Sequence, residues 1–158
     1  MTWVELAPCE VRHAALVGVG RYLAARAQGR RDLFVTDRGS LFVDLIGAFG
    51  EITVAKALGV FWSPNVGGND SGPGDVMGLQ VRASVRASSP LVIRPRDHDE
   101  SAFVLVTGEP PCLCIRGWLY AADGKRPEYW QTRHNIGPAA YFVPADELQP
   151  WDERPKET

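Results

Sequence analysis

The chain has 158 residues, 45% of them hydrophobic and 23% charged, with a formal net charge of −2. This is the profile of one globular domain, expected over residues 1–151 with a charged tail over 152–158. No apolar run approaches the roughly 18 residues of a membrane span, and three cysteines, an odd number, argue against a disulfide framework.

Thr2-Trp3-Val4-Glu5 is not the charged start of a secretory signal, so the expected compartment is the cytoplasm. Residues 2–7 read as an extended lead-in. Pro8 suits the first turn of a helix, where its missing N–H is not needed. Val11, Ala15, Gly18 and Tyr22, with Leu16, Val19 and Leu23, recur at helical spacing to about Gln28, and Gly29 is the stop. Gly18 and Gly20 lower helix propensity and allow a close contact. Arg26, Arg30 and Arg31 suit the negative end of the helix dipole.

Residues 30–40 read as a loop. A second helix is expected from Leu41 to Leu58, stopped by Gly59. Leu45, Phe49 and Ile52 form its apolar stripe. Glu51 falls on another line, with Gly47, Val54, Ala55 and Leu58. Its small neighbours would let the helix lie against a sheet and carry the carboxylate to the strand ends. The plainer alternative leaves Glu51 facing solvent with Asp44.

Val60-Phe61-Trp62 reads as a short strand, and Asn65 to Gly74 as a glycine-rich loop, either a lid or a disordered connection. No Gly-Lys-Ser/Thr ends it, so it is not a P-loop. After Gly72-Pro73-Gly74 comes Asp75, then a strand-like run from Leu79 to Arg86. Leu79, Val81, Ala83 and Val85 share one face; Gln80, Arg82, Ser84 and Arg86 share the other.

Ser88-Ser89-Pro90 turns the chain into a short strand at residues 91–93. A charged turn follows at 94–101, with His98 read as a solvated residue. Residues 102–106 are continuously apolar, as in a strand covered on both faces. Pro110-Pro111 turns into a strand from Leu113 to Tyr120. A short helix is expected over Asp123–Gln131, a strand over Ala140–Val143, and a helical turn from Ala145 capped near Asp146. Cys112 and Cys114 point the same way along their strand and read as apolar packing rather than metal ligands. Helices first and short strands after give an α+β fold: a mixed, largely antiparallel sheet with two long N-terminal helices on one face.

A carboxylate at a strand end followed by a polar-x-basic pair resembles the core of the PD-(D/E)xK nuclease superfamily. Asp75 stands at the family's Asp, Gln80 at the second acidic position, which some branches fill with Gln, and Arg82 where the family usually has Lys. Gly47-Ala48-Phe49-Gly50-Glu51 resembles the helical segment that often adds a Glu. The resemblance covers residues 43–107. It implies a restriction-endonuclease-like core and hydrolysis of phosphodiester bonds, with DNA the expected nucleic acid. It implies catalytic residues Glu51, Asp75, Gln80 and Arg82, and Mg²⁺ or Mn²⁺ held by Glu51, Asp75 and Gln80, with help from the Val81 carbonyl. It further implies a possible homodimer, in a bacterial or phage-infected cell. Arg82, Arg86, Arg94 and Arg96, with no acid between them, form a basic stripe able to follow a phosphate backbone. Arginine in place of lysine leaves two other readings open. One is a non-catalytic nucleic-acid-binding module on a degenerate nuclease fold. The other is a protein-binding accessory protein with Trp118, Tyr129, Trp130 and Trp151 on its surface.

Overall fold

The computed structural model describes residues 1–29, 39–66, 74–132 and 138–155. Arg30 and Arg31, most of the expected 30–40 loop, the centre of the glycine-rich stretch, His134 and the last three residues lie outside them. The fold is α+β. Strand β1 (Thr2–Glu5) leads into α1 (Pro8–Ala27) and α2 (Ser40–Leu58). Then come β2 (Gln80–Ser84), β3 (Leu91–Ile93), β4 (Ala102–Glu109), β5 (Cys112–Tyr120), α3 (Ala121–Gly124), β6 (Trp130–Gln131) and β7 (Ala140–Val143).

The main sheet runs β1-β5-β4-β2, with β2 parallel to β4 and the other pairs antiparallel. A second, antiparallel sheet runs β3-β7-β6. β4 serves two cores because its side chains alternate. Val104 and Val106 join the core under the helices, while Phe103 and Leu105 join the core beneath the small sheet.

Two glycines set how closely the layers pack. A Cβ on Gly18 would stand 2.7 Å from the Leu45 Cα, so α1 and α2 meet backbone to backbone there. A Cβ on Gly50 would stand 2.6 Å from Ala83 Cβ and 3.2 Å from Val81 Cγ1. Helix α2 therefore lies directly on the Val81/Ala83 face of β2. Gly59 closes α2 in the left-handed conformation at φ 69°, as its position after Leu58 predicts.

Several local expectations change. Residues 2–5 are a paired edge strand rather than a lead-in, because β5 offers them an antiparallel partner. Val60-Phe61-Trp62 forms no strand: Phe61 is 87% exposed, and Trp62 turns inward alone. The helix expected over 123–131 is divided into α3, a 3₁₀ turn at Pro127–Tyr129 and β6. Pro127 ends helical propagation by restricting Arg126 to an extended backbone. The turn at Ala145–Glu147 is entered from Pro144, so Asp146 lies inside it rather than capping it. Cys114 is buried, whereas Cys112 at the strand start is exposed. Trp118 and Trp151 are core residues and Trp130 is exposed, so only part of the expected aromatic surface exists.

Gly47 and Gly50 lie on the same helix, and a Cβ on Gly47 would meet nothing within 4 Å. Alanine at Gly47 should stabilise the protein by roughly 0.5–1 kcal/mol through helix propensity. Alanine at Gly50 should be worse than that by about 1–3 kcal/mol, the cost of overpacking against β2. Urea denaturation of the two variants measures the difference. Equal stabilities would mean that α2 does not lie on β2 as described.

Candidate functional site at the open edge of β2

Burial of an ionised carboxylate is costly unless it is paired and hydrogen-bonded. Glu51 is 6% exposed on α2, and the fold supplies both kinds of partner. Arg21 on α1 grips it bidentately, Nη1 to Oε1 at 2.5 Å and Nη2 to Oε2 at 2.8 Å. The indole Nε1–H of Trp62 donates to Oε2 at 3.2 Å. Arg21 also donates from Nε to the Asn65 carbonyl at 2.9 Å. Neither Arg21 nor Trp62 was singled out by the sequence pattern; the solvent-facing alternative for Glu51 is set aside by its burial.

Asp75 stands outside this pair, exposed, in a tight turn before β2. Its N–H donates to the Leu79 carbonyl at 2.8 Å, and its Oδ2 accepts the N–H of Val81 at 2.7 Å. That second bond orients the strand edge. β2 is the last strand of its sheet. The N–H and C=O of one strand residue point to the same side. Because the Val81 N–H goes to Asp75 rather than to β4, the Val81 carbonyl also faces the open edge. Arg82 Nη1 lies 3.4 Å from that carbonyl oxygen.

The charge of Asp75 acts on Glu51 and on Arg21 alike. Burial first, then Asp75, push the Glu51 carboxyl above its ordinary value, against the lowering effect of Arg21 and Trp62. Burial opposes the Arg21 charge, yet the hydrogen bonds and charge of Glu51 outweigh it, and the guanidinium is held more firmly protonated than usual.

Gln80 and Arg82 point from the other face of β2, away from α2. Arg82 lies over the Phe103 ring, 4.9 Å from its centroid, with Nη2 3.6 Å from Asp97 Oδ2. Asp97 also accepts the Arg94 N–H at 2.8 Å, which fixes the turn that presents it. The charge of Asp75 thus reaches Glu51, which α2 holds on the Val81/Ala83 face of β2. Gln80 and Arg82 lie on the other face, and the Val81 carbonyl lies between. Of the basic stripe, Arg86 and Arg96 are exposed and Arg94 is half-buried.

Among the described residues no three His, Cys, Asp or Glu side chains gather as a metal cluster. What the open edge of β2 does bring together is the Asp75 carboxylate, the Val81 backbone and the Arg82 guanidinium, while both Glu51 oxygens are taken up by Arg21 and Trp62.

The influence of Asp75 on Glu51 has a consequence in pH. Folded Glu51 holds its proton more tightly than the unfolded chain does, so unfolding free energy falls as pH rises from about 4.5 through the raised value. Asp75→Asn removes one cause of the rise. The Glu51 carboxyl, followed by ¹³C NMR titration, should then titrate at lower pH than in wild type, and the fall in stability should end at lower pH. An unchanged Glu51 titration would show that the two carboxylates do not share a site.

Comparison with known proteins gave no matching family model, curated protein or solved structure.

Proposed function

We propose that the protein is a divalent-metal-dependent nuclease of restriction-endonuclease-like core, acting on nucleic acid, with DNA the favoured substrate. The observation that carries this reading is the hydrogen bond from the Val81 N–H to Asp75 Oδ2. It sets a carboxylate at an open strand edge, with the Val81 carbonyl and the Arg82 guanidinium beside it. Asp75, the Val81 carbonyl and Glu51 would hold the ion, with the Gln80 amide on the Arg82 side. Bound there, Mg²⁺ or Mn²⁺ supplies a nucleophilic water and charge neutralisation at the phosphate.

The chain's own residues then do the following. Arg82 donates hydrogen bonds to a phosphate oxygen through its planar fork. Phe103 beneath it and Asp97 beside it limit where the guanidinium points. Arg86 and Arg96 contact the backbone on either side. Trp62 and Arg21 orient the Glu51 carboxylate.

The full neutralisation of Glu51 by Arg21 also favours a second reading, a nucleic-acid-binding module that no longer cleaves. The two separate in a cleavage assay on duplex DNA, single-stranded DNA and RNA with Mg²⁺, Mn²⁺ or chelator. The nuclease cleaves with metal and not with chelator; Asp75→Ala abolishes cleavage, and Arg82→Ala slows single turnover by about 10²-fold. Absence of cleavage on every substrate in Mn²⁺ selects the module instead. Both readings require that the arginines neutralise phosphates. Changing Arg86 and Arg96 to Ala should lower the slope of log affinity against log salt by about 0.9 for each phosphate no longer neutralised. An unchanged slope removes nucleic acid as the ligand of this face.

A further inference from the structure

Helix α1 turns Ala14, Val17 and Gly18 into the core. Its solvent side carries one straight line: Arg12, Leu16, Val19, Leu23 and Arg26, spaced by four, three, four and three residues. That is the a/d seam with which one helix packs along another. Leu16 is 72% exposed, Leu23 59% and Val19 38%. A single exposed apolar side chain is ordinary, but a contiguous row marks a contact surface. Arg12 and Arg26 close the two ends of the row, both exposed, and among the described residues neither forms an ion pair. Arg12 donates from Nε to the Pro8 carbonyl at 3.4 Å, and Arg26 lies over Tyr22, 5.1 Å from the ring centroid. Each contact holds the side chain along the helix and leaves guanidinium N–H groups for an acceptor.

Charge decides what can cover this row. A second α1 laid parallel sets each arginine against its own counterpart. Laid antiparallel about Val19, it sets Arg12 against the copy's Arg26 position. Either way like charges meet, which disfavours the pairing. A lipid surface fits poorly, because the arginines lie in line with the apolar side chains rather than beside them, and the net charge of −2 gives no attraction to anionic headgroups. A helix fits if it carries carboxylates two heptads apart, about 21 Å along its axis, with apolar residues between them. We propose that α1 is a docking face for an amphipathic helix of another protein. That helix lays its apolar seam on Leu16, Val19 and Leu23 and sets a carboxylate against each of Arg12 and Arg26. This face is separate from the edge of β2, since Arg21, which holds Glu51, leaves α1 on another side.

The test is fluorescence anisotropy of the full chain with two labelled helical peptides of about three heptads each. Both carry leucine at the central a and d positions. One has glutamate at the two seam positions that frame them, two heptads apart, and the other has lysine there. Wild type should bind the glutamate peptide about tenfold more tightly, the scale of two exposed pairs turned from repulsion to attraction. Arg12→Glu/Arg26→Glu should reverse that preference, and Leu16→Gln/Leu23→Gln should lose both peptides. All four side chains are exposed, so the variants should keep the fold, which circular dichroism checks. Should the leucine variant not fold, the arginine variant decides alone. Equal affinity for the two peptides, a preference that survives the charge reversal, or no binding of either peptide overturns the proposal. Binding to vesicles of phosphatidylcholine and phosphatidylserine that needs Leu16 and Leu23, without discrimination between the peptides, overturns it in favour of a lipid surface. A sedimenting dimer that Leu16→Gln/Leu23→Gln dissociates overturns it in favour of a second copy of this chain.

Discussion

Arg21 and Glu51 join the two long helices through a bidentate pair that lies mostly out of water. Such a pair adds little net stability over an apolar substitute, but breaking it from one side leaves a buried charge and costs about 3–5 kcal/mol. The arrangement of the surrounding chain follows from keeping it intact. Gly18 lets α1 approach the Leu45 backbone closely enough for Arg21 to reach. Trp62 turns inward after α2 and donates to Oε2, while Phe61 is left in solvent. At the far end of the pair of helices Glu10 accepts both the Ala7 N–H and the Lys56 ammonium, each at 2.6 Å. That exposed contact is a weaker tie than the buried one.

β2 presents the opposite problem. It is an edge strand, and edge strands offer unpaired backbone groups to any passing chain. Asp75 takes the outward N–H of Val81, so one exposed donor is satisfied by a side chain and closed to a foreign strand. The outward carbonyl of the same residue is left with Arg82 Nη1 at 3.4 Å. The device that guards the edge is also what makes it polar and charged, a consequence of satisfying backbone groups without a neighbouring strand.

The sequence made the long periodic elements legible, and the alternation through Leu79–Val85 correctly separated the two faces of β2: Val81, Ala83 and Val85 pack into the core beneath α2. Glu51 was legible as an oddity, an acid among small and apolar residues. Its partner was not. A buried acid requires a buried base, but α1 carries Arg12, Arg21 and Arg26 on more than one face, and nothing local says which one turns inward. The glycines beside Arg21 were the available hint, since Gly18 and Gly20 mark the face of α1 that meets other chain segments. Asp97 was illegible for a different reason. Its bond to Arg82 spans fifteen residues across a turn, and the surrounding Asp99 and Glu100 look the same in sequence. The short strand expected at 60–62 failed because propensity was read without a pairing partner. The helix at 123–131 failed because Pro127 outweighed the spacing around it.

The two halves of the candidate site are anchored in different cores. Glu51 is fixed by the helices over Val81 and Val104, while Arg82 is fixed by Phe103 and by a turn that Lys125 ties down through the Pro95 and Asp97 carbonyls and the Asp99 carboxylate. Only the backbone of β2 and β4 passes between them. A rigid strand pair transmits position well, so the separation of the acidic and basic halves is set by the register of Val81 on Val104 rather than by either side chain. Each half can then be tuned within its own core without moving the other. The acidic half is adjusted by what holds Glu51, and the basic half by what lies under and beside Arg82. Arg82 is accommodated on these terms. Its wider planar head needs a ring beneath it and a carboxylate to one side, and the second core supplies both without disturbing the acids across the strand.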